Sequence, residues 1–197
     1  MADFRKADKL TGLNEGGYAN HPDDRGGETY AGIARNFWGR WLGWRYIDKY
    51  KADYAVAVRS KKTKLTLAQW VNASAKVKTE PVEELVNEFY RVNFWELNRL
   101  GEFKCQALAN TVYDFGVNAG KGRAARLIQK VTGGLLEDGV IGRRTIEAIN
   151  SRDCKTLYES YNKERESFYR NLAKGSQAKF LRSWLSRLLP YNDSRNK

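Results

Sequence analysis

The stretch LNEGGYANHPDDRGGETYAGIA, Leu13 to Ala34, sets one glutamate, Glu15, against Gly16 and Gly17. Phe4, Ala7, Leu10 and Leu13 recur at roughly helical spacing ahead of it. This spacing predicts a helix that stops at Gly16-Gly17, because glycine accepts the left-handed backbone of a helix C-terminus. A glutamate at such an end faces the negative pole of the helix dipole, which opposes its charge by roughly a few tenths of a kcal/mol. Stability alone would favour lysine there. The same field, combined with partial burial, raises a carboxyl pKa, and a raised pKa suits a general acid at neutral pH. The paired glycines leave the backbone bare for a bulky substrate. The plain alternative is a solvated helix-end residue.

A second carboxylate would complete an acid–base pair. Asp23 and Asp24 precede Gly26-Gly27, and Asp114 lies in YDFGVNAG. Each also reads as an ordinary turn or capping aspartate, since aspartate before glycine forms turns readily. Thr29 either caps a following helix or donates a hydrogen bond near a cleft. Asn118, before Ala119-Gly120, reads as a helix C-cap, with ligand contact as the lesser alternative. His21 is the single histidine, so it has no second imidazole with which to share a metal. No metal site and no cofactor are expected. Cys105 and Cys154 lie far apart in sequence with no CxxC. They read as ordinary, partly buried thiols, and a disulfide framework is not expected.

The elements that must position these residues read as helices joined by glycine-marked turns. Residues 30–39 read as a second, short helix. Thr79-Glu80-Pro81 opens a helix with Val82, Leu85, Val86 and Phe89 on one face, running to about Trp95. Further helices are expected over 105–117, from Ala124 to Val131, around Ile146 and Ile149, over 157–172 and over 180–189. Trp38, Trp41 and Trp44 read as core or groove wall. SKKTK, 60–64, reads as an exposed basic loop, and DGVIG, 138–142, as a tight structural turn with positive φ at Gly139 and Gly142. Alternating strand patterns are scarce. The expected fold class is all-α, with little or no β-sheet.

The chain has 197 residues and a net charge of +12, with 42% apolar residues, so disorder is not expected. Residues 35–64 and 151–197 carry the whole positive excess. Such a field attracts polyanions. An anionic cell envelope and nucleic acid are both candidates, but no nucleic-acid recognition motif is present. No segment approaches the ~18 apolar residues of a membrane span. The charged start MADFRKADKL has no apolar core of a secretory signal. The chain is expected to be cytoplasmic as synthesised.

These residues carry a family resemblance. NEGGY followed by DDRGGETYAGI resembles the N-terminal signature of glycoside hydrolase family 108, lysozyme-like N-acetylmuramidases that include secretion-activator proteins. FYRVNFWELNRL, 89–100, is similar to that family's Tyr-Trp segment. VYDFGVNAGKGRAARLIQKVTG, 112–133, and DGVIGRRTIEAI, 138–149, resemble its predicted peptidoglycan-binding segment, and FYRNLA with FLRSWLSRL resembles its C-terminal end. The resemblance implies a compact lysozyme-like multi-helix fold. It also implies a catalytic segment over 1–100 and a peptidoglycan-binding segment over 101–197, packed as one unit. Glu15 would be the acid that protonates the glycosidic oxygen of the β-1,4 bond after N-acetylmuramic acid. On the residues themselves, Asp24 holds the position just before the glycine pair and is the expected second catalytic group, with Asp23, Asp114 and a water positioned by backbone and hydroxyl groups as alternatives. Tyr18, Thr29, Tyr30, Asp114 and Asn118 are expected to contact the glycan, Tyr18 as a flat apolar face for a sugar ring. The enzyme would act on the wall after release. A lytic transglycosylase and a non-catalytic wall-binding protein are the alternatives.

Overall fold

In a computed structural model, which describes residues 1–12, 16–21, 26–77 and 81–192, the chain is predominantly helical with one small sheet. It divides into two units. One is Gly12–Arg91; the other joins Met1–Thr11 to Val92–Lys197. The first helix packs with the C-terminal half of the chain.

In the unit Gly12–Arg91, three short strands form an antiparallel meander: β1 (Tyr18–Ala19), β2 (Thr29–Tyr30) and β3 (Ile33–Ala34). Tyr18 pairs with Tyr30, and Tyr30 with Ile33. The helix expected over 30–39 is therefore absent. Ala31 and Gly32 make the β2–β3 turn with φ of 47° and 77°, a two-residue hairpin turn with both centres left-handed. A side chain on Gly32 would also meet Tyr90 Oη at 2.7 Å. That hydroxyl donates to Ala31 O at 2.8 Å and pins the turn.

Three helices complete this unit: α2 (Gly43–Arg59), α3 (Leu67–Ala75) and α4 (Val82–Tyr90). α2 buries Trp44, Ile47 and Tyr50 at three-residue steps. α3 begins with a capping box: Thr66 accepts from Gln69 N, and the Gln69 side chain accepts from Thr66 N. α4 carries Glu83 and Glu84 in its first turn, where the helix dipole favours negative charge. The tryptophans knit the core. Trp44 donates to Trp38 O, Trp41 donates to Leu85 O, and Trp38 meets Phe89 edge-on at 4.8 Å. The basic stretch 60–64 is a loop, as its composition suggests. α4 runs on into a π-helical turn, Arg91–Glu96.

In the other unit, α5 (Gln106–Ala119) is buried from Gln106 to Gly116. Around it pack α1 (Phe4–Thr11), α6 (Lys121–Thr132) and α8 (Cys154–Leu172). α7 (Arg143–Asn150) packs on α6, and α9 (Leu181–Leu185) on α8. Gly120, with φ of 96°, lets α5 break and α6 begin at once. In DGVIG, Gln129 donates to Asp138 Oδ1 and accepts from Gly139 N. Gly139 has φ of 82°, but Gly142 has φ of −90° and needs no glycine for its backbone.

Two sequence expectations are corrected here. α1 stops at Thr11, with Gly12 at φ of 67° taking the left-handed position expected of Gly16-Gly17. Cys105 and Cys154 form a disulfide, with Cα atoms 5.8 Å apart. They are far apart in sequence, but one caps the start of α5 and the other opens α8, and packing brings these helix starts together.

Candidate active site

Glu15, Asp23 and Asp24 lie outside the described residues. What surrounds them in sequence is the β1–β2–β3 meander. Its construction explains much of the signature. Gly17 sits against Asn72, where an added Cβ would approach the amide nitrogen to 2.5 Å. Asn72 Oδ1 in turn accepts from Tyr18 N at 2.8 Å. Gly17 is thus glycine because the chain presses on α3. That replaces the open approach expected of the pair.

Tyr18 is 7% exposed, so its ring packs inside the unit and offers no open face to a sugar. Its hydroxyl donates to Glu28 Oε1 at 2.8 Å. Burial, reinforced by the Glu28 hydrogen bond and charge, pushes the Tyr18 pKa up to about 12. Glu28 is the hub of the meander. Lys51 Nζ reaches its Oε1 at 2.7 Å and Arg35 Nε its Oε2 at 2.6 Å. Arg35 extends the network to Asp48 and stacks over Trp44 at 4.3 Å. Asp48 titrates below its usual range, chiefly through the Arg35 hydrogen bond. A carboxylate clamped by two cations and a phenol is a brace, not a free base.

Thr29 lies in β2 and its Oγ1 donates to Gly27 O at 3.1 Å, so the helix-cap alternative falls away. Tyr30 is half-buried and stacks on Trp41, with centroids 6.3 Å apart and planes 16° from parallel. Burial, and then the charge of Glu83, raises its pKa.

Asp114 and Asn118 belong to α5 in the other unit. Asp114 is buried and doubly paired, to Arg165 at 2.5 Å and Arg187 at 2.6 Å. Asn118 Nδ2 donates back to Asp114 O at 2.7 Å. Burial works against the charge of Arg165, but Asp114, with Tyr169 and Tyr161, overrides it and lifts the arginine pKa. Tyr18, Thr29 and Tyr30 are therefore held together in one hairpin system, while Asp114 is an internal counterion. Sequence reasoning missed Glu28, Arg35, Asn72 and Arg165. Arg165 had a legible signal. Leu157, Tyr161, Arg165 and Tyr169 recur every fourth residue along α8, which places an arginine in a buried stripe.

The described geometry is that of a helical protein with a braced three-stranded meander, whose first two strands flank the acidic pair in sequence. Residues 9–120 match the family Glycosyl hydrolase 108, and residues 123–189 match the Predicted Peptidoglycan domain. The two matches define a peptidoglycan-active glycosyl hydrolase of lysozyme-like type. The chain belongs to the glycosyl hydrolase 108 family. Among solved structures it is similar to that of Brucella abortus SagA, with 24% identity and a TM-score of 0.61 over 98% of this chain and 91% of that one. At that identity the likeness speaks for the fold. No curated protein matches the chain.

Proposed function

We propose that the chain is an N-acetylmuramidase. It cleaves the β-1,4 bond between N-acetylmuramic acid and N-acetylglucosamine in peptidoglycan, with Glu15 as general acid. The observation that carries this reading is the family match over 9–120, which spans the NEGGY signature. Glu15 protonates the leaving glycosidic oxygen as the bond breaks. The meander supports this chemistry by rigidity: Glu28, Asn72 and Tyr90 tie down the backbone on either side of the acidic segment.

Asp24 is the proposed second group. Glu28 and Asp114 are each held by two cations, and Asp8, buried in α1, is held by the Tyr113 hydroxyl. That leaves the acidic pair of the signature as the better source of a base. An inverting reaction needs the two carboxyls ~6.5–9.5 Å apart, and a retaining one ~5–5.5 Å. The enzyme acts on the wall after leaving the cytoplasm, and the Cys105–Cys154 disulfide suits an oxidising compartment.

The test is Glu15→Gln on purified sacculi, followed by turbidity and by mass spectrometry of the products. The amide keeps the shape of the side chain but has no acidic proton. A loss of about 10²-fold or more is expected, with sacculus binding and circular dichroism unchanged. Products bearing reducing ends mark hydrolysis. 1,6-Anhydro ends would mark a lytic transglycosylase, and near-normal turnover by the folded variant would remove Glu15 from the reaction.

A further inference from the structure

Cys105 and Cys154 both sit at the N-terminal ends of helices. Cys105 is the cap of α5, and its Sγ accepts from Leu108 N at 3.3 Å. Cys154 is the first residue of α8, and its Sγ accepts from Tyr191 Oη at 3.5 Å. These donors and the positive poles of two helix dipoles surround the bridge with partial positive charge. A thiolate gains far more from such surroundings than a neutral disulfide sulfur does. The fold thus stabilises the reduced pair, and a disulfide whose reduced form is stabilised opens more readily.

The bridge is also within reach of solvent. Neither cysteine is buried, and both line a cavity of about 200 Å³ with Leu108, Ile149, Lys104 and Arg152. Lys104 and Arg152 are exposed and take part in no salt bridge among the described residues. Asp153, next to Cys154, offsets one of these charges and is committed to the α8 cap, where it accepts from Thr156 N and Oγ1. Lys155 pairs with Glu159 one turn further on. The rim keeps a positive excess, and such a field raises the encounter rate of a small anion.

We propose that Cys105–Cys154 is a reversible thiol–disulfide exchange site for a small anionic thiol of the glutathione kind. The thiolate of the reductant attacks one sulfur and expels the other as a thiolate, leaving a mixed disulfide. A second reductant thiol attacks that bond and frees the remaining cysteine. The protein gains two electrons and two protons, and the two reductant molecules leave joined as their own disulfide. The reverse reaction, with that disulfide as oxidant, restores the bridge. The bridge spans 49 residues and ties the start of α5 to the start of α8. The chain is therefore unstapled where reduced thiol is in excess and stapled once it leaves such surroundings. The inference is independent of the role of Glu15, because it is read by thiol release and melting and not by cleavage.

The experiment incubates the native, oxidised full chain with excess reduced glutathione or with neutral β-mercaptoethanol, and counts free thiols by alkylation and mass spectrometry. Glutathione should open the bridge without denaturant, and glutathione disulfide should re-form it. The reduced form should melt roughly 5–10 °C lower. Cys105→Ser with Cys154→Ser, which keeps a hydroxyl to cap α5, should melt like the reduced form in either buffer. At low salt, Lys104→Gln with Arg152→Gln should slow opening by glutathione about threefold more than opening by mercaptoethanol. Circular dichroism checks that each variant is folded. A bridge that opens only in denaturant, equal melting of the oxidised and reduced forms, or equal effects of the charge variant on the two thiols would overturn the proposal.

Discussion

Asp114 shows how a residue's surroundings decide what its substitution does. It balances two guanidiniums, one of them 1% exposed. Removing one partner of a buried ion pair costs about 3–5 kcal/mol, because the other charge is left unpaired. Asp114→Asn should therefore lower the melting temperature sharply, while Asp24→Asn should slow wall cleavage in a protein of normal stability. Measuring both properties on both variants separates the roles. A stable Asp114→Asn with a large rate defect would reverse the assignment. Asp8 is the opposite case. It is buried in α1 with the Tyr113 hydroxyl donating to it at 3.0 Å. Burial raises its pKa, and the Tyr113 bond only partly opposes this. The native state thus holds the proton more tightly than the unfolded chain. Asp8 weakens the fold at neutral pH, and the penalty fades as pH falls through its folded pKa, vanishing below its unfolded value of about 3.9. Asp8→Asn should raise the melting temperature at pH 7, and the gain should shrink towards pH 4. A gain that does not change with pH would rule out titration as its cause. Neither residue's environment was legible in the sequence. A carboxylate in a helix looks the same whether two distant arginines reach it or none.

At the scale of elements, the β2–β3 turn rests on two independent demands at Gly32. Its φ is 77°, and its missing Cβ leaves room for the Tyr90 hydroxyl. Gly32→Ala should cost at least the roughly 1–2 kcal/mol of a left-handed non-glycine residue, plus the hydrogen bond from Tyr90 to Ala31. Denaturant unfolding measures the loss, and Tyr90→Phe, which removes only the hydroxyl, should account for the smaller part. If Gly32→Ala is neutral, the turn does not need this glycine. The same turn shows where pattern reading reaches its limit. The helices from α4 to α8 are announced by apolar periodicity, whereas α2 and α3 go unread, although Thr66 and Gln69 have the spacing of a capping box. Strands of two residues are too short to show alternation, so ETYAGIA read as the start of a helix. α1 ended early for a related reason: Leu13 continues the helical spacing, but Gly12 had already broken it. The disulfide was hidden because sequence separation does not report which helix ends meet.

At the scale of the whole molecule, the charge of +12 is partly spent inside the fold. Arg35 and Lys51 brace Glu28, and Arg165 and Arg187 hold Asp114. The lysines at 61, 62 and 64 are exposed on their loop. They belong to the 35–64 segment that carries much of the excess, so they are exposed cations available to an anionic envelope. Exposed charges act over about a Debye length, ~8 Å at physiological salt. Raising the salt should therefore weaken attachment to intact sacculi, while turnover of a short soluble glycan should change much less. Reversing Lys61, Lys62 and Lys64 to Glu should reproduce the high-salt behaviour at low salt, without loss of stability, because none of the three is buried. The measurement compares wild type and the reversed variant on both substrates across a salt series. Equal losses on both substrates would place this charge at the point of cleavage instead of at the point of attachment.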